Sequence, residues 1–264
     1  MKKSLKVFNC CFLRLIKQPR FYIAIIIGVL ILLSERWIDY VDKFILGKNI
    51  AKTYSFAFML EVSLSYTIFP FIFVPLCTIS GSLAFCEDTN HNFYRAIWTR
   101  VSKKTYAKTQ ALASAVIGGL TGASIIVFSA LLLRVIYPSH SIAMQTTAQF
   151  GALNDPIAIV LNSWGYVIKI ALVYFFGGMA LAVLGLLCSS FAKNRYVAVL
   201  APLILFISAD FLMGSFHLPF APMDLLMTYD STSVSVFTSA TIFTLGIYMC
   251  TVLFTLKCED KVGE

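Results

Sequence analysis

Four stretches of the chain, 62–86, 109–133, 170–192 and 231–256, each run past twenty residues without a charge. About 20 apolar residues cross a hydrocarbon core, so each predicts a transmembrane helix. Two shorter apolar runs add to them. The first continues past Glu35 and Arg36 to Trp37 and Ile38; the other begins at Tyr196, reaches Asp210 and goes on to Met213. The pattern therefore predicts six spans, at approximately 20–38, 62–86, 109–134, 165–190, 196–213 and 232–256. Pro70 and Pro75 are expected to bend the second, and Pro202 the fifth.

The segments between spans carry patterns of their own. Leu5, Phe8, Phe12, Leu15 and Ile16 fall on one helical face, with Lys2, Lys6, Asn9 and Lys17 largely opposite. This predicts an amphipathic interfacial helix over 1–19 along the inner leaflet. In the loop 87–108, Phe93, Tyr94, Ile97, Trp98 and Val101 share a face of a short helix, opposite Asn92, Arg95, Thr99, Arg100 and Ser102. Glu87 and Asp88 stand just before this helix, and Lys103, Lys104 and Lys108 just after it. The spacing suits an interfacial helix with snorkelling bases and a docking knob for a cytosolic partner equally well.

Residues 211–230 are too apolar for a solvated loop, yet Gly214, Pro219 and Pro222 break them too often for one helix. They predict re-entrant half-helices in the outer leaflet, a structural plug or an outer gate, with His217, Pro219, Pro222, Asp224 and Tyr229 as gate candidates. Glu61, Arg134, Lys169 and Asp210 are expected within about two turns of the outer interface, where snorkelling lowers the cost of their charge.

Composition agrees with lipid as the solvent: 59% of the 264 residues are hydrophobic and 13% charged, against roughly a quarter charged in soluble domains. The fold class expected is an all-α polytopic membrane protein of one transmembrane domain, 1–264. Fifteen Lys and Arg flank the spans on the side of the N-terminus and five lie on the other, which predicts cytoplasmic termini in a multi-pass protein of the plasma membrane. The net charge of +8 is then an orientation signal and implies no nucleic-acid partner. None of the seven cysteines falls in an outer loop, so no external disulfide is expected.

Several chemistries are missing. Gly47–Lys48 has no glycine five residues earlier, so there is no P-loop; H-E-x-x-H is absent, and no histidine is expected at the depth of Ser80 and Ser82. The chain reads as no enzyme and as carrying no cofactor or metal of its own.

The arrangement resembles the ABC-2 type permeases, the membrane subunits of ABC exporters. The resemblance rests on six spans with an amphipathic N-terminal helix, the broken segment before the last span, and the motif Phe85, Glu87, 93–98 and "TRVSKKTYAK" from Thr99. Asn90–His91 and Arg100 depart from the family's usual small residue and proline. The resemblance implies a separate P-loop ATPase, in two copies carrying ATP and Mg, and a second permease chain, identical or related. Glu87, Asp88, Phe93, Tyr94, Arg95, Ile97, Trp98 and Arg100 would form the ATPase-docking coupling helix and its approach. The cargo expected by resemblance is a peptide or other amphipathic compound, as in antimicrobial peptide export and immunity. The alternative is a non-transporting membrane scaffold or sensor that docks a cytosolic partner.

Overall fold

A computed structural model describes residues 2–45, 55–90, 101–137, 163–191, 194–216, 218, 220–227 and 235–260. Every regular element among these residues is helical. α1 (Lys2–Ile16) and α2 (Pro19–Leu32) meet at an angle of 54°, measured between Lys6–Ile16 and Pro19–Leu32. The cause is local: Gln18 precedes a proline and is extended, at φ −73° and ψ 136°, while Pro19 opens the new helix.

α2 is shorter than the predicted first span, 20–38. It stops at Leu32, where the Ser34 hydroxyl donates to the Ile31 carbonyl at 2.7 Å. A 3₁₀ turn, Ser34–Arg36, then leads into α3 (Trp37–Phe44). Arg36 stands in this turn, where a charge costs less than in a continued apolar helix.

The predicted single span 62–86 is divided among α4 (Phe56–Tyr66), α5 (Phe69–Gly81) and α6 (Leu83–Asn90). Phe56–Ser65 and Phe69–Gly81 are bent by 87°. Pro70 lies in the first turn of α5 and has no N–H to continue α4. Pro75 sits inside α5 without ending it, and Ser82 separates α5 from α6, its hydroxyl donating to Thr78 O at 2.6 Å.

Five more helices follow among the described residues, one of them short: α7 (Lys103–Ile136), α8 (Ser163–Phe191), α9 (Arg195–Ser215), α10 (Pro222–Leu226) and α11 (Val236–Asp260). α9 runs unbroken through Pro202. Among the described residues four helices are long and apolar enough to cross a membrane, or up to six if each bent pair counts as one span. Their outward faces carry exposed Ile26, Leu30, Ile204, Phe211, Met249 and Leu253, an apolar surface that water would not tolerate. The protein is a membrane-embedded helical bundle.

α8 is its hub, touching α4, α5, α6, α7, α9, α10 and α11. Lipid tails are as apolar as leucine, so helices in a bilayer associate through close packing and hydrogen bonds. Small residues permit the approach here. A Cβ on Gly118 of α7 would lie 2.5 Å from the Gly178 carbonyl oxygen of α8, and one on Gly122 would meet the Tyr174 carbonyl. The Cys77 thiol lies 3.7 Å from the Gly118 carbonyl, and Ser114 donates to Gly81 O at 2.8 Å, tying α5 to α7. Phe69, Phe73 and Tyr174 fill the space beside this crossing, with Phe73 and Tyr174 edge to face at 4.9 Å.

α1 departs from a helix that gives its apolar face to lipid. Leu15 is 1% exposed and belongs to a cluster with Ala113 and Ile117 of α7; Phe8, Phe12 and Ile16 pack against the same cluster. Leu5 lies in α1, but its side chain is outside the described residues.

Gly118→Val is expected to place its side chain against the Gly178 backbone, which cannot yield, and to cost about 1–3 kcal/mol. Gly246, whose added Cβ would meet nothing within 4 Å, is the control. Thermal unfolding in mild detergent should show a lowered midpoint for Gly118→Val and none for Gly246→Ala.

Candidate functional site: a buried acid pair at the basic end of the bundle

Arg14, Arg20, Arg195 and the lysines of the first turns of α7 cluster at one end of the bundle, the basic end. At its centre stand the adjacent Glu87 and Asp88 of α6. Consecutive helical residues diverge by about 100°, so each carboxylate meets a different set of helices. Asp88 has a side chain 2% exposed. One oxygen accepts from Arg14 Nη1 of α1 at 2.5 Å, the other from the Tyr106 hydroxyl of α7 at 2.6 Å. Glu87 accepts from Arg20 of α2. Its carboxylate also lies 3.9 Å from Arg195 of α9 and 4.0 Å from Arg14.

Two neighbouring residues thus bind α6 to α1, α2, α7 and α9. The geometry is charge-assisted, which strengthens each hydrogen bond, and the low exposure of Asp88 limits competition from water. Beneath it lies an apolar floor of Phe85, Tyr106, Ala111, Leu186, Phe254 and Cys258, where Phe85 and Phe254 meet edge to face at 5.0 Å. The floor adds α8 and α11 to the connection.

Of the residues expected to dock an ATPase, Asp88 is turned inward. Its carboxylate is taken up by Arg14 and Tyr106, which makes it an internal anchor between α6, α1 and α7. Glu87 is likewise engaged by arginines of the same chain. Phe93, Tyr94, Arg95, Ile97, Trp98 and Arg100 lie outside the described residues. The arginines enter the sequence pattern only as orientation charges, and Tyr106 only as a member of the run 99–108, with no role of its own. The signal that finds them is an acid pair at the end of one span, facing bases that flank three others on the same side.

At the far end α3 clamps the end of α7. Lys43 donates to the carbonyls of Val135 and Ile136 at 2.5 and 3.0 Å, where a helix leaves its last carbonyls unpaired. The Tyr137 hydroxyl donates to Asp39. Burial first, then that hydrogen bond and the Asp39 charge, hold the Tyr137 hydroxyl protonated above its ordinary range. Glu61 does not snorkel: it is 2% exposed within α4. Arg134 stacks over Phe56 at 5.8 Å and donates to Tyr137 O at 3.2 Å, and Lys169 is exposed.

Of the gate candidates, Pro222 opens α10 and Asp224 is exposed on it, while His217, Pro219 and Tyr229 lie outside the described residues. Asp210 accepts from Met223 N at 3.0 Å and so holds the start of α10 to α9. Leu226, 1% exposed, lies against Gly177, the middle residue of α8. Gly177 is about 20 Å along the helix from either end of α8 at 1.5 Å per residue.

Comparisons with protein-family models, curated proteins and solved structures find no match.

Tyr106→Phe should cost about 1.5–3 kcal/mol, the range for a hydrogen bond to a charged group. Asp88→Ala should cost more, since it also deprives Arg14. The double variant should fall short of the sum, because both remove the same bond. Chemical unfolding of the four proteins in detergent measures the coupling; additive losses would show that the hydroxyl and carboxylate act independently.

Proposed function

We propose that the chain is the membrane-spanning permease subunit of an ATP-driven exporter of the ABC-2 type. The observation that carries this reading is the connection around Glu87 and Asp88. The segment 91–102 joins α6, which ends at Asn90, to α7, which begins at Lys103. Asp88 before it and Tyr106 after it are hydrogen-bonded to each other at 2.6 Å. A force applied to that segment would therefore reach five helices at once, which is what transmission from a cytosolic motor into a membrane bundle requires.

In this reading the basic end faces the cytoplasm with both termini. α1 lies along the inner leaflet and braces α7, and each bent pair completes a span of a six-span subunit in the plasma membrane. The helix around 93–98 docks a separate P-loop ATPase, two copies of which bind ATP and Mg. Two permease chains pair about an axis normal to the membrane, as closed symmetry favours, and rock to expose a path alternately. α10, seated on the middle of α8, narrows the outer mouth. The cargo is a peptide or comparable amphipathic molecule, in keeping with antimicrobial peptide export and immunity.

The tagged chain should co-purify with a stoichiometric P-loop ATPase from mild detergent. Arg95→Glu with Trp98→Ala should abolish that association without lowering the thermal midpoint. Absence of any ATPase, even after cross-linking, would favour the scaffold or sensor.

Docking and transmission separate in a second experiment. Asp88→Asn removes the charge that holds Arg14 while leaving 93–98 untouched, so the ATPase should remain bound. ATP-dependent movement of a labelled peptide in vesicles should fall by about tenfold or more, equivalent to losing roughly 1.4 kcal/mol of coupling. Undiminished transport would place transmission elsewhere.

A further inference from the structure

α3 (Trp37–Phe44), with the Ile45 that follows it, is turned the wrong way round for a helix in water. At 100° per residue Trp37, Ile38, Val41, Phe44 and Ile45 fall within an arc of about 120°. All five are exposed, Ile38 at 73% and Ile45 at 75%. Asp39 and Lys43 lie opposite them and are half-buried. The bundle takes up their polar groups: Lys43 donates to the carbonyls of Val135 and Ile136, and Asp39 accepts from the Tyr137 hydroxyl. A helix in water gives its apolar stripe to the protein and its charges to the solvent. α3 does the reverse, which suits an apolar medium over its outer face.

Its depth follows from α7. The charge-free run of that helix, 109–133, rises about 36 Å, a little more than a hydrocarbon core of about 30 Å. The last turn of α7, where Asp39 and Lys43 are both held, therefore stands at the headgroup boundary. The surface beside it is of the same kind. Val135, whose carbonyl takes Lys43, is exposed, as are Leu131 and Leu132. The lipid-facing wall of α7 thus runs up to the point where α3 is held. Trp37 is of the residue type that collects at this boundary, where its ring meets both media. A protein partner fits the face poorly, since a stable interface takes about 20–30 residues a side and α3 offers five.

We propose that α3 is a lipid anchor. Its outward face beds in the leaflet at the far end of the bundle, while Asp39 and Lys43 hold the last turn of α7 to it. The partner is the bilayer surface itself, with no headgroup preferred, because the five outward residues carry no charge. The anchor rests on the membrane placement of the bundle and is independent of transport.

Trp98→Phe with Trp164→Phe leaves Trp37 as the sole tryptophan of the full chain, and so as a depth gauge in phosphatidylcholine nanodiscs. Its emission should lie to the blue of a water-exposed indole. Lipids brominated high on the acyl chain should quench it most, lipids brominated near the chain end less, and aqueous iodide least, as for a helix about 5–10 Å deep in the boundary. Adding Ile38→Asp with Phe44→Asp, which spares Asp39 and Lys43, should move the emission to the red and open Trp37 to iodide.

Strong iodide quenching before the aspartates are added would place the face in water and overturn the anchor. Resistance to every quencher would assign the face to protein and overturn it too. A cross-linked dimer in the same nanodiscs would then identify the cover as a second copy, and its absence another segment of this chain. Emission and quenching unchanged by the aspartates would also overturn it, because Trp37 would then be held at depth by something other than this face.

Discussion

The near contact of backbone with backbone where Gly118 of α7 meets Gly178 of α8 sets the dimensions of the bundle. In water, burial alone would drive two such helices together at many distances and angles. In lipid it would not, because the surrounding tails solvate leucine and phenylalanine as well as another helix does. Specific approach must come from dispersion at short range and from hydrogen bonds, and both need the absence of a side chain. With α7 and α8 fixed, Phe69, Phe73 and Tyr174 have a defined slot, and α5 is held by Ser114 and Cys77.

The acid pair supplies a different kind of constraint at the basic end. Close packing fixes how near two helices lie, while charge-assisted hydrogen bonds fix which residues face one another. Asp88 reads the register of α1 and α7 together, and Glu87 that of α2 and α9. Among the described residues three arginines surround two carboxylates, so positive charge is in excess there. Residual exposure at Arg14, Arg20 and Arg195 keeps that excess solvated. The arrangement is therefore firm at Asp88 and looser toward Arg195, whose side chain is half-exposed.

Much of the bundle is legible in the sequence because bilayer thickness acts on length and charge, which a sequence displays directly. α7, α8 and α11 lie where long uncharged runs occur, and α9 where a shorter one does. The division of 62–86 is less visible. Proline signals a bend but not its size, and only Pro70 lies where a new helix must start. α1 shows a further ambiguity, since a stripe of Leu and Phe looks the same whether it faces lipid or Ala113 and Ile117. The site was half visible: Glu87 and Asp88 stand out from an apolar background, whereas Tyr106 and the arginines acquire meaning only from helices distant in sequence. Gly118-x-x-x-Gly122 was a signal for the central crossing that spacing alone could have revealed.

α10 has five residues, far fewer than a helix needs to persist by itself in solution. Its order is borrowed from the Asp210 carboxylate at one end and from the seat of Leu226 on Gly177 at the other. Ala221 and Leu225 are buried beside Leu226, and the local free energy of opening is set by this seat, not by the bundle as a whole. Its departure would uncover the middle of α8 while leaving the Gly118–Gly178 crossing and the acid pair intact. The molecule thus joins a frame set by backbone contact to a short helix held by side chains, and the second can open without the first having to yield.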